Sequence, residues 1–220
     1  MTEAPAAAAT RHHRSRRAPR PSGEERHRAI LETAERLLAE RGLDGFSVDD
    51  LARGAGLSRP TFYFYFASKE AVLLTLLDRV IDEVNARSAD LPAAFEGDPA
   101  GSWRRVIQGV VEVFAGHRSV ATAAVQAHLS TPAVRQLWTQ TMGTWIGLVA
   151  DVIEAERARG AAPDGVPAHD LATALNLMNE RVLVATFTGE ACSITEDAVT
   201  DVLLRIWLNS IYGPGGPAGG

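Results

Sequence analysis

Residues 61–66 read Thr-Phe-Tyr-Phe-Tyr-Phe, five consecutive aromatics in a chain that is only 6% aromatic. On a helix, Phe62 and Phe66 are four apart and, with Leu57, point one way, toward a small core. Thr61, Tyr63 and Phe64 point elsewhere, and Tyr65 lies at the edge. Three hydroxyls so placed can donate to phosphate oxygens. Phe64 can pack on thymine methyl groups in a major groove. The alternative, that all five aromatics are core, requires a two-turn helix buried on every side.

A second constellation lies further on. Trp103, Ile107, Val110 and Phe114 follow i, i+4, i+7, i+11, and Trp138, Met142, Trp145 and Val149 repeat that spacing. Such stripes are ordinary core by pattern alone. All four tryptophans nevertheless fall in the second half, and a buried indole N–H needs a partner. In "ALNLMNERVLV", Asn176 and Asn179 stand one turn apart in an otherwise apolar stretch. Buried carboxamides must be hydrogen-bonded. They either bond neighbouring helices or orient a ligand in an apolar cavity, and the residues leave both open.

Catalytic chemistry finds no foothold. The six histidines show no metal-ligand spacing, and there is no phosphate loop, nucleophile elbow or carboxylate pair. No metal or other cofactor is implied. His169-Asp170 reads as capping, and Glu154, Glu156, Arg157 and Arg159 as a solvated helix face. The single cysteine, Cys192, excludes an intramolecular disulfide framework. The first alanines precede the first arginines, the reverse of a secretory leader. No apolar run approaches the roughly 18 residues of a membrane span. A cytoplasmic protein without membrane contact is expected.

The charge is uneven. Residues 1–23 carry +4 and the remainder −9, for a net −5. A basic arm on an acidic body suggests an interaction tail, which either contacts nucleic acid or hangs free.

The elements that would position these residues are all helical. Ile30, Ala34, Leu37, Leu38 and Arg41 form a stripe ended by Gly42. Ser47 caps a short helix, with Asp50 as capping-box partner. Ser58 caps the aromatic helix, expected over 59–66, and Pro60 fits its first turn. Ser68 opens a fourth helix, from Lys69 towards Leu91. Further helices are predicted near 102–115, 119–129, 132–158, 168–189 and 195–212. Two short helices joined by "GLS" make a helix-turn-helix, whose second helix enters the major groove. With no strand alternation, the fold class is all-α: a three-helix DNA-binding unit and a larger helical domain, about nine helices in total.

"FSVDDLARGAGLSRPTFYFYFASKEAVL", residues 46–73, resembles the DNA-binding domain of the TetR family of transcriptional regulators. The resemblance is carried by Ser47, Leu51-Ala52, Ala55-Gly56-Leu57-Ser58, Thr61, Tyr63, Phe66 and Lys69-Glu70. It departs at Phe64, where a polar or basic residue is commoner. It implies DNA contacts from Ser47, Ser58, Thr61, Tyr63, Phe64, Tyr65 and Lys69. A closer resemblance within that family, in "SRPTFYFYF", "AVLLTLLDRV", "ALNLMNER" and "IYG", runs from about Arg20 to Gly213. It implies a repressor, not an enzyme, that controls a monooxygenase-type gene.

The implied division is a disordered basic arm at 1–22, a DNA-binding domain at 23–68, a ligand-binding and dimerisation domain at 69–212, and a flexible tail at 213–220. The resemblance also implies a homodimer through 168–189 and 195–212, on double-stranded operator DNA with two-fold symmetry. It resolves the stripes toward a cavity lined by Trp103, Ile107, Val110, Phe114, Trp138, Met142, Trp145, Leu148 and Val149, and by Asn176, Asn179, Leu183, Val184 and Trp207. No arginine or lysine falls among these. The expected effector is therefore an elongated, uncharged lipophile whose carbonyl meets Asn179. An activator of the same fold, or a helical lipid-binding protein without DNA binding, remain alternatives.

Overall fold

The computed structural model describes residues 21–87, 95 and 97–214. Most of the arm and the end of the tail lie outside that range. Among the described residues there are nine α-helices and no strand.

Helix α1 (Gly23–Arg41) starts seven residues before the first residue of its apolar stripe, because Ser22 forms a capping box with Glu25. Ser22 thus belongs to the folded unit and not to the arm. The helix buries Ile30, Leu31, Ala34, Leu37 and Leu38. It ends at Gly42, whose φ of +67° favours glycine. A 3₁₀ turn (Leu43–Gly45) leads to α2 (Val48–Gly54), which opens on the Ser47–Asp50 capping box. Gly56, at φ +68°, makes the turn into α3 (Arg59–Phe62). Regular α-helix stops at Phe62, and residues 63–65 continue as a tightened turn with Phe64 N–H donating to Thr61. Phe62 and Phe66 are buried with Leu51 and Phe46, and His27 of α1 stacks on Phe66 at 4.9 Å.

Helix α4 (Lys69–Arg87) leaves this unit and enters the body. It packs on α1, on α5 (Pro99–Gly116), on α6 (Arg118–His128) and on α7 (Pro132–Ala158). Helix α5 begins three residues before the expected start, because Asp98 caps it and Pro99 takes its first position. Helix α8 (Ala168–Thr188) lies along α7, and α9 (Val199–Tyr212) along α5. The last helix starts four residues later than expected. Residues 195–198 form a turn in which the Thr195 carbonyl accepts from Ala198 and Val199.

One reading is overturned in the core. Glu156 does not sit on a solvated face; it is 2% exposed. Arg159 donates to both of its carboxylate oxygens, at 2.7 and 2.6 Å, and the Tyr212 hydroxyl donates at 2.8 Å. The Trp103 indole N–H in turn donates to Tyr212 at 3.1 Å. A charge can be buried there because its lone pairs are filled. Burial pushes the Tyr212 phenol above its ordinary range; the Trp103 bond opposes this and the neighbouring carboxylate adds to it.

Candidate functional site

Two regions gather the predicted residues. The first is the surface of α3. The Ser58 hydroxyl accepts from the Thr61 N–H and lies 2.8 Å from the Thr61 hydroxyl, so the pair is pre-oriented. Tyr63 is 46% and Phe64 87% exposed. A phenylalanine ring standing in water gains nothing for the isolated fold, and Phe64 lies beside the exposed Tyr63 on the same surface. Tyr65 is half-buried and packs on the core.

Arg59, absent from the predicted set, links this surface together. Its guanidinium donates to Asp49 of α2 at 2.8 Å and to the Tyr63 hydroxyl at 3.3 Å, and stands 5.8 Å from the Tyr63 ring centre. Its signal was its place, an arginine at the first position of the recognition helix. Ser47 stands at the α2 N-terminus and donates to Asp50 at 2.7 Å, which holds that carboxyl below its usual range.

Lys69 departs from the expected arrangement. Its ammonium donates to the Leu43 carbonyl at 2.8 Å, reaches that of Phe46 at 3.5 Å and lies 5.7 Å from the Phe46 ring centre. In this pose it ties α4 to the segment between α1 and α2 and is not presented outward with the α3 residues.

The second region is a cavity of about 580 Å³ inside the body, within the range of small-molecule sites. Helix α5 supplies Ile107, Val110 and Phe114, with Val106. Helix α7 supplies Trp138, Met142, Trp145, Leu148 and Val149. Helix α8 supplies Asn176, Asn179, Leu183 and Val184, and α9 supplies Trp207. Helix α6 adds Ala121, Ala124, Val125 and His128, and α4 adds Leu77 and Val84, so the helix leaving the DNA-facing unit borders the cavity. Phe114, Trp138 and Trp145 run edge-to-face along it, with centroids 6.2 and 6.0 Å apart.

Trp103 is the exception among the predicted lining residues. It stands behind Trp207, with ring centres 4.9 Å apart, and its indole is held by Tyr212.

The polar groups are specified by their partners. Trp207 N–H donates to the Asn179 carboxamide oxygen at 2.9 Å. An indole can only donate, so this fixes which end of the amide faces it and leaves the NH₂ as the outward donor. The Asn176 NH₂ donates to the Ala172 carbonyl at 2.8 Å. Trp145 N–H donates at 2.9 Å to Asn85, near the end of α4. Trp138 N–H donates at 2.7 Å to Glu180, which also lines the cavity. Charge is therefore not excluded from the walls. Arg181 lines them too, ion-paired with Glu190. Glu180 was legible, as the charged neighbour of Asn179 on an apolar helix.

Among the described residues no group of three or more His, Cys, Asp or Glu could hold a metal ion, and no helix is long and apolar enough to cross a membrane. A helix-turn-helix unit joined by one helix to a helical body is the architecture of a DNA-binding transcriptional regulator. Comparison with known proteins agrees. Residues 30–76 match the family described as bacterial regulatory proteins, tetR family, and residues 103–213 match the C-terminal domain of the transcriptional regulator EthR. The chain is 54% identical over 203 residues to the HTH-type transcriptional regulator EthR of Mycobacterium tuberculosis, covering 91% of this chain and 93% of that one. It is 48% identical over 207 residues to EthR of Mycolicibacterium smegmatis, covering 94% and 95%. A transcriptional regulator from Saccharomonospora viridis, solved in complex with choline, superposes with a TM-score of 0.70 at 25% identity, over 83% of this chain and 95% of that one. The chain belongs to the TetR family of transcriptional regulators, in its EthR branch. It is a regulator and not an enzyme.

Proposed function

We propose that this regulator represses a monooxygenase-type gene, binds a two-fold operator as a homodimer, and is released by an elongated lipophile that fills the α5–α8 cavity. The observation that carries the reading is the hydrogen bond from Trp145, in the cavity wall, to Asn85 on α4. It gives a ligand beside Trp145 a direct hold on the helix that carries the DNA-binding unit.

Thr61, Tyr63 and Phe64 enter the major groove, with Ser47, Ser58, Tyr65 and Arg59 supporting the backbone contacts. The dimer forms through α8 and α9, where Leu177, Val202 and Ile206 are exposed. The cavity holds the ligand's carbonyl at the Asn179 NH₂. Binding favours one pose of α4, and the shift is bounded by the ligand's preference for that pose.

The test is fluorescence anisotropy on the intergenic DNA upstream of its own gene, with a long-chain alkyl amide titrated in. Operator affinity is expected to fall as the amide binds. An amide that raises the melting temperature while leaving DNA affinity untouched would overturn the release mechanism.

A further inference from the structure

We propose that the effector carries an N–H group beside its carbonyl, and that Glu180 selects for it. The inference rests on the cavity being the effector site and adds to it the chemistry of the polar head.

Two adjacent residues of α8 each have one end tied off by an indole. Trp138 N–H donates to Glu180 Oε1 at 2.7 Å. Among the described residues Glu180 Oε2 takes no hydrogen bond, and Glu180 forms no ion pair. Its neighbour Arg181 is turned to Glu190, which it meets with two hydrogen bonds at 3.1 and 2.5 Å. On Asn179 the oxygen is held by Trp207 at 2.9 Å, so the NH₂ remains. The apolar wall thus offers a donor and, one residue on, an acceptor with spare capacity.

A lipophile that seals the cavity strips water from both groups. An unmatched carboxylate oxygen in an apolar cavity is costly. A secondary amide carries both complementary groups, a carbonyl for the Asn179 NH₂ and, on its opposite edge, an N–H for Glu180. An ester or tertiary amide satisfies Asn179 alone and leaves Glu180 dry. A fatty acid would bring a second negative charge towards Glu180, while the nearest guanidinium in the wall, that of Arg181, is already paired with Glu190.

Titration calorimetry on the full chain with N-methyldodecanamide and N,N-dimethyldodecanamide tests this, because the pair differs in the N–H. The secondary amide is expected to bind about ten-fold more tightly, as a hydrogen bond to a charged acceptor warrants. In E180Q the single carboxamide oxygen goes to Trp138, which can only donate, and an NH₂ faces the cavity. The preference should then vanish or reverse. Equal affinities in the wild type overturn the inference and leave the cavity reading standing. The same preference persisting in E180Q also overturns it, because a purely steric bias against the extra methyl would survive that change. Failure of both amides to bind overturns the cavity reading, and this inference with it.

Discussion

Replacing Lys69 by methionine separates a structural lysine from a phosphate-binding one. Methionine keeps the apolar stem and deletes the ammonium. The bond to the Leu43 carbonyl, at 2.8 Å from a charged donor, contributes about 1.5–3 kcal/mol. The 3.5 Å approach to Phe46 lies beyond good hydrogen-bond geometry and adds little. Asp44 is 3.9 Å away and fully exposed, so that attraction is screened by water and adds little. The side chain itself is only 22% exposed, which keeps the carbonyl it serves from being fully rehydrated. The expected loss is about 2 kcal/mol. For a chain of this length that lowers the melting temperature by about 4–8 °C in a two-state transition. Operator affinity measured against salt should keep its slope. If instead each ammonium neutralised a phosphate, the dimer would lose about two units of slope, at about 0.9 per contact. Unaltered melting together with that loss of slope would refute the structural assignment.

Tyr63→Phe removes a hydroxyl from the α3 surface and should weaken operator binding by about 1–2 kcal/mol per protomer in an anisotropy titration, with melting almost unchanged. Glu156→Gln breaks a buried pair with Arg159 and should cost about 3 kcal/mol in urea unfolding, toward the lower end for such sites because Arg159 reaches solvent. Glu83 is held below the ordinary carboxylate range first by the His117 hydrogen bond and then by Arg87. A group with a depressed folded pKa stabilises the fold above its unfolded value and ceases to do so as pH falls through the folded one. The stability advantage of wild type over Glu83→Gln should therefore be full at neutral pH and disappear on acidification, read by urea midpoints across the carboxylate range.

Long helices with one apolar stripe and a capping signal were legible in the sequence. Helices α1, α4 and α7 fall in that class, since their burial follows from local spacing. What stayed hidden depends on partners far away along the chain. Glu156 sits in a run of charges that any short window reads as solvated, and its donor Tyr212 is 56 residues on. Trp103 heads the same stripe as Ile107 and Val110, yet a bond to a residue 109 positions away draws it out of the cavity wall. Lys69 follows the family's motif, and only the folded turn at Leu43–Phe46 brings carbonyls to it. The asparagines were legible as polar residues in an apolar helix. Which end of Asn179 remains available was not, because that is decided by Trp207 on another helix.

The helix that joins the two parts is fastened at both ends. At Lys69 it is fixed to the DNA-facing unit, and near its other end Glu83, Asn85 and Arg87 hold His117, Trp145 and Glu112 of the body. Between these anchors runs an unbroken rod of 19 residues, about 28 Å long at 1.5 Å per residue. Such a rod is a lever. A tilt of about 5° at the Asn85 end sweeps the Lys69 end through about 2.4 Å over that length. In the proposed homodimer the two-fold-related subunit would move equally, so a sweep along the line joining the recognition helices would change their separation by nearly 5 Å, against a groove repeat of about 34 Å. In the proposed release a small displacement at the cavity wall would in this way be enlarged to a misfit on the scale of a base-pair step, provided that the packing of α1 on α6 gives way with it.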